Sequence, residues 1–113
     1  MTFVFQVPDG LPRDANATPL QATYNNMQSG SGTVTNSGTP VQLAASYSQA
    51  KRIDIANPTS NSGAIYIGGT MVSTTKGVPL QPAFTYTFFI TDLSKVWVDA
   101  DVNGSTFIYT YYW

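Results

Sequence analysis

A single-domain, antiparallel β-sandwich is the fold class this sequence predicts, on three observations. Helix signals are weak: glutamate is absent, leucine is sparse, and seven prolines interrupt the chain. The apolar runs are short and built from β-branched and aromatic residues, which suit a pleated, half-buried surface. Clusters of Gly, Pro, Asn and Ser separate them at the spacing of a sandwich or barrel, not of βαβ units. At 113 residues, one domain with its own core is expected.

The elements follow in order. Phe3–Val7 predicts a short strand inside a distinct leading segment, residues 1–40, placed ahead of a sandwich domain at 41–113. Pro8, Pro12, Pro19 and Pro40 break that segment into scraps, and the run Asn25–Gly32 is largely polar. Two readings stay open for it: a loosely packed edge or flexible leader, or an extended N-terminal arm that orders across a neighbouring subunit. Gly32–Thr35 is a strand candidate. Val41–Lys51 is the best helical candidate, yet Val41, Leu43, Ala45 and Tyr47 alternate, so it reads as strand.

Arg52–Ala56 places Ile53 and Ile55 on one side and Asp54 on the other. Ala64–Gly68 repeats the pattern with Ile65 and Ile67 around Tyr66. Turns are expected at Asn57–Gly63, Gly68-Gly69 and Pro79–Pro82. Tyr86–Ile90, Val96–Ala100 and Thr106–Tyr112 complete the strands. Asn103-Gly104 is the preferred pair for a type I′ hairpin turn. Such a hairpin would set Ala100 opposite Phe107 and Val98 opposite Tyr109, with Val96, Val102, Ser105 and Tyr111 on the same core face. Trp97, Asp99, Asp101, Thr106, Ile108, Thr110 and Tyr112 would then face outward.

Composition excludes much chemistry. With no histidine, cysteine or glutamate, the imidazole base, the thiolate and the bidentate Glu ligand do not exist in this chain. No enzyme, cofactor or metal site is expected. Lys51, Lys76 and Lys95 have no pattern setting them against a Ser or Thr nucleophile. Asp99 and Asp101 lie side by side, which is not the arrangement of two carboxylates flanking a glycosidic bond. Asp99-Ala-Asp101-Val-Asn103-Gly104 opens like a calcium loop, but its twelfth position is Thr110 and strand precedes it. Gly68-Gly69 and Gly77 lack the phosphate-loop spacing. Asn16-Ala-Thr18 and Asn103-Gly-Ser105 are chance-frequency glycosylation patterns.

The net charge is −1 and charged residues make up 10%, against about 25% in typical globular domains. Five dispersed cations do not neutralise a phosphate backbone, so nucleic acid is not an expected partner. No run approaches the roughly 18 apolar residues of a membrane helix, and the N-terminus does not read as a signal peptide. Sparse charge favours association, so a surface covered in the working state is expected. Tyr109–Trp113 packs four aromatics into five positions, which suits core packing plus a subunit interface or, less simply, a sugar-binding platform.

Three stretches carry a resemblance: Arg52-Ile-Asp-Ile-Ala-Asn-Pro to Ile65-Tyr-Ile-Gly68, then Gly77-Val-Pro-Leu-Gln-Pro82, then Asp92-Leu-Ser-Lys-Val96 through Gly104. Over Lys51–Trp113 the chain resembles small tailed-bacteriophage virion proteins of the head-decoration, cement or head-fibre type. Where that pattern has Gly-Glu or Gly-Gln after the second proline, this chain has Ala83-Phe84, which leaves that turn's geometry open.

The resemblance implies a jelly-roll-like sandwich that forms a homotrimer on the outer surface of an icosahedral head. The major capsid protein would be its partner, and multivalent contact would stabilise the shell. Phe3, Val4, Phe5, Val7, Leu11 and Leu20 are the expected capsid or partner contacts of the arm. Trp97, Ile108, Tyr112 and Trp113 are the expected oligomer interface. The alternatives are a phage tail, baseplate or fibre component, or a carbohydrate-binding β module, contacting host glycans.

Overall fold

The structure, a computed structural model, describes residues 23–113. Its strands are β1 (Met27–Val34), β2 (Val41–Gln42), β3 (Arg52–Ala56), β4 (Ile65–Gly68), β5 (Val78–Leu80), β6 (Thr85–Phe88), β7 (Trp97–Ala100) and β8 (Ser105–Tyr112), with one 3-10 turn at Leu93–Lys95. They form two four-stranded antiparallel sheets, β1-β8-β3-β6 and β2-β7-β4-β5. The first strand pairs with the last, the second with the seventh, the third with the sixth and the fourth with the fifth. That nesting is one long antiparallel hairpin rolled over on itself, the jelly-roll arrangement of a two-sheet sandwich.

Alternation builds the core. Ile53 and Ile55 of β3, Ile65 and Ile67 of β4, Val98 and Ala100 of β7, and Phe107 of β8 turn inward and are buried. Phe107, Tyr109, Tyr111 and Trp113 then form a stacked ladder along the inner face of β8 and just past its end, with ring centroids 6.3, 6.2 and 5.2 Å apart. Glycine in the neighbouring strand makes room for it. A Cβ at Gly30 would sit 2.6 Å from the Tyr109 ring, and one at Gly32 would strike Phe107 still harder. The polar stretch before Val34 is therefore a full edge strand, longer than Gly32–Thr35 suggested, and its side-chain poverty is a packing feature.

Several expectations are corrected. β7 and β8 are not a hairpin: they lie in opposite sheets, and residues 101–104 cross between them. Gly104 has φ 81°, whereas Asn103 is not at positive φ, so the type I′ requirement is unmet. Ser105 N–H bonds to Val102 O at 3.2 Å and Gly104 N–H to Val34 O at 2.8 Å. The inward parity was right for Val96, Val98, Ala100, Ser105 and Phe107; those residues meet across the sandwich instead of side by side. Val102, by contrast, is exposed.

In Val41–Lys51, only Val41–Gln42 is strand. The rest is an irregular connection pinned by Leu43 N–H to Val96 O and Ala50 N–H to Thr91 O. Pro79 lies inside β5 and not in a turn. Proline is tolerated there because β5 is an edge strand. The turn comes later, at Gln81–Phe84, closed by Phe84 N–H to Gln81 O at 3.2 Å.

Candidate interaction surface

The topology gives the sandwich two unlike ends. One carries the connections 35–40, 57–64, 81–84 and 101–104. The other carries 43–51, 69–77 and 89–96, together with the entering residues 23–26 and Trp113. We call the second the entry end, since the chain joins the sandwich there: Asn25 and Asn26 N–H both bond to Trp113 O, and Lys51 Nζ donates to Thr23 O.

Four of the seven large apolar side chains that stand exposed among the described residues are at the entry end; Phe84 and Val102 are at the other end, and Ile108 is on the outer face of β8. Met71 is 78% exposed, Phe89 72%, Tyr47 67% and Met27 64%, each from a different connection or strand start at that end. All four cations among the described residues, Lys51, Arg52, Lys76 and Lys95, are on the same end. Asp92 is also there, but its carboxylate is used locally. Oδ1 accepts from Ser94 N–H at 2.9 Å, Ser94 Oγ–H at 2.8 Å and Ser48 N–H at 3.2 Å. Partial desolvation pushes that carboxyl up, but these hydrogen bonds and nearby Lys95 outweigh it, leaving it below the ordinary range. Leu93 is buried beneath this cap. The Asp92-Leu-Ser-Lys-Val96 run thus reads as cap, plug, cap partner, exposed cation and core.

Beside the entry end, between the edge strands β5 and β6, a cleft of about 230 Å³ opens between the sheets. Ile67, Val78, Tyr86, Phe88, Ile90 and Lys95 line it. The three-residue β5 flanks it on one side and the aromatic pair Tyr86 and Phe88 of β6, whose rings stack at 5.5 Å, on the other.

The sequence-predicted site residues scatter. Ile108 and Tyr112 share the outer face of the β1-β8-β3-β6 sheet, where Ile108 is exposed. Trp97 is on the outer face of the opposite sheet, paired with Gln42 and Gly68. Trp113 ends the inner ladder, stacked on Tyr111. These four do not form one surface. Phe3, Val4, Phe5, Val7, Leu11 and Leu20, with the Phe3–Val7 strand, lie outside the described residues. Met71, Phe89 and Tyr47 were missed, because one exposed apolar residue in a loop gives no periodic signal.

No protein-family model, curated protein or solved structure matches this chain.

Tyr112 anchors a polar cluster on its outer face. Its hydroxyl donates to Asp54 Oδ2 at 2.8 Å, Thr87 Oγ1 donates to Asp54 Oδ1, and Arg52 Nε donates to Oδ1 at 3.2 Å. Desolvation raises the Asp54 carboxyl, but bonds from Thr87, Tyr112 and Arg52 outweigh it and hold the group below the ordinary aspartate range. The same bond to Asp54, then burial, raises the Tyr112 hydroxyl. The Arg52 guanidinium also lies 5.2 Å from the Tyr112 ring centroid.

The calcium-like run is a clasp. Asp99 Oδ1 accepts from Gly38 N–H at 2.9 Å, Asn103 Oδ1 from Ser37 N–H at 2.8 Å, and Asp101 Oδ1 from Tyr66 Oη–H at 3.0 Å. Those oxygens hold the 35–40 connection and β4 against β7. Asp99 was expected on the surface; this connection covers it completely. Among the described residues, no group of three acidic, His or Cys side chains converges.

Proposed function

We propose that this chain is a structural virion protein that decorates the outside of an icosahedral phage head and stabilises it by multivalent contact with the major capsid protein. The observation that carries the reading is the entry end: exposed Met27, Tyr47, Met71 and Phe89 set among Lys51, Arg52, Lys76 and Lys95. Apolar anchors with a basic surround fit a protein surface that is apolar at its centre and acidic around it. The resemblance over Lys51–Trp113 supplies the identity of that surface.

The leading segment joins the sandwich at the same end, so the root of the arm lies beside the entry-end anchors. Several modest contacts per oligomer then add to slow dissociation. A glycan-binding role has less support, since the most sugar-like cluster, Tyr112 with Arg52 and Asp54, spends its polar atoms on itself. Heating heads with and without the protein tests the proposal. Heads carrying it should retain DNA to a temperature several degrees higher, and an unchanged release temperature contradicts it.

A further inference from the structure

We propose that the free edge of β6, with the cleft beside it, receives Phe3–Val7 of a second copy of this chain as an added strand. β6 ends its sheet, and among the described residues no strand pairs with its outer edge. A short aromatic edge with unpaired N–H and C=O groups is a template for another strand. At about 230 Å³ the apolar cleft is smaller than the roughly 300–1,000 Å³ of small-molecule sites. It suits side chains of a peptide better than a free ligand.

The segment has the matching pattern. In Phe3-Val-Phe-Gln-Val7, Phe3, Phe5 and Val7 share one parity, with Val4 and Gln6 on the other. Laid along β6, the first set falls on the side of Tyr86 and Phe88, over the cleft. Gln6 then falls beside Thr85 and Thr87 on the open face. Residues inside the sheet would gain backbone partners while the cleft loses its exposed apolar lining.

Linker length puts a neighbour's cleft within reach. Tyr24 packs on Tyr112 of β8 at 5.6 Å, and β6 is two strands further on, about 10 Å away. Residues 8–22 are fifteen, with three prolines, and extend to about 45 Å in polyproline form. That is several times what a return to the chain's own β6 requires, and it spans a domain of about 100 residues. The inference rests on the oligomeric reading above and names the partner of the arm's apolar residues.

The chain has no cysteine, so a disulfide test is clean. A Gln6→Cys chain is co-expressed with a Thr85→Cys or Thr87→Cys chain, and the oxidised protein is run without reductant. A disulfide between two different chains should dominate, at least tenfold above the pairing of Gln6→Cys with Thr33→Cys on the far edge. A link found only within a doubly substituted single chain overturns the second-copy assignment, and no excess over Thr33→Cys overturns the docking site itself. As a second readout, the outer-edge amides of β6 should exchange at least tenfold faster in a Phe3→Asp/Phe5→Asp chain. Equal exchange in both chains also overturns the site. Neither measurement involves heads, so a strand exchange can hold where decoration fails, and the reverse.

Discussion

Asn57 Nδ2 donates to the carbonyl of Leu80 at 2.8 Å, tying the turn after β3 to the end of β5 in the opposite sheet. The same amide reaches Gly63 O at 3.1 Å, and Asn57 Oδ1 accepts from Asn61 Nδ2 at 2.7 Å. Asn61 in turn bonds to Thr106 of β8 on both its N–H and C=O. Asn57 is buried, so its partners have no water to replace it. Leaving buried groups unpaired costs about 1–3 kcal/mol each. Asn57→Ala should therefore lower unfolding free energy by about 3 kcal/mol, read as a lower urea midpoint at unchanged slope.

Ala83 occupies a conformation made for glycine. Its φ is 77°, at the third position of the Gln81–Phe84 turn, and its N–H bonds to Asn57 O at 2.7 Å. A side chain there costs about 1–2 kcal/mol, partly offset by the entropy glycine loses on folding. Ala83→Gly should stabilise the protein by about 1 kcal/mol in thermal unfolding, and Ala83→Val should destabilise it. Ala83 is thus the non-glycine residue among the described ones that holds a positive φ.

Two glycines separate strain from crowding. A Cβ on Gly104 meets nothing within 4 Å, so Gly104→Ala suffers only its positive φ, about 1 kcal/mol. Gly32 has ordinary backbone, but its Cβ would enter the Phe107 ring, which is itself 1% exposed. Gly32→Ala should cost about 2–3 kcal/mol by overpacking. Chemical denaturation of the two variants checks the order.

Part of the acid sensitivity should trace to Asp54, the more enclosed of the two depressed carboxylates among the described residues, Asp54 and Asp92. The folded pKa of Asp54 is depressed, so its contribution is present above the unfolded value of about 3.9 and lost as pH falls through the lower folded value. Asp54→Asn should cost about 1 kcal/mol at pH 7, a modest figure because the group is partly solvated. The gap between variant and parent should close as pH falls below the unfolded value and through the lower folded one. Tyr112→Phe should remove part of the same difference. Stability curves across pH for the three proteins are the measurement.

Much of the fold was legible because burial follows a period of two. Ile53, Ile55, Ile65 and Ile67 declare their strands and faces without any tertiary information. What periodicity does not carry is the partner. Val98 and Tyr109 turn inward whether their strands lie side by side or face each other across a core, and Asn103-Gly104 tipped the choice toward a hairpin that does not exist. β5 was hidden because Pro79 signals a turn unless the strand is known to be an edge. Asp99 appeared solvated because the connection that buries it starts some sixty residues earlier, at a distance local patterning does not span. The entry end was less legible still, since Met71, Phe89, Lys76 and Lys95 converge only through the roll of the sheets.

The direct measurement of the central claim is binding of purified protein to heads that lack it. Met71→Asp and Phe89→Asp should weaken binding at least tenfold with melting temperatures within a degree or two of the parent, because both side chains are exposed. Lys76→Glu should weaken it less and reduce its salt dependence. Normal binding by the Met71→Asp/Phe89→Asp double variant would contradict the assignment of the entry end as the surface that meets the shell.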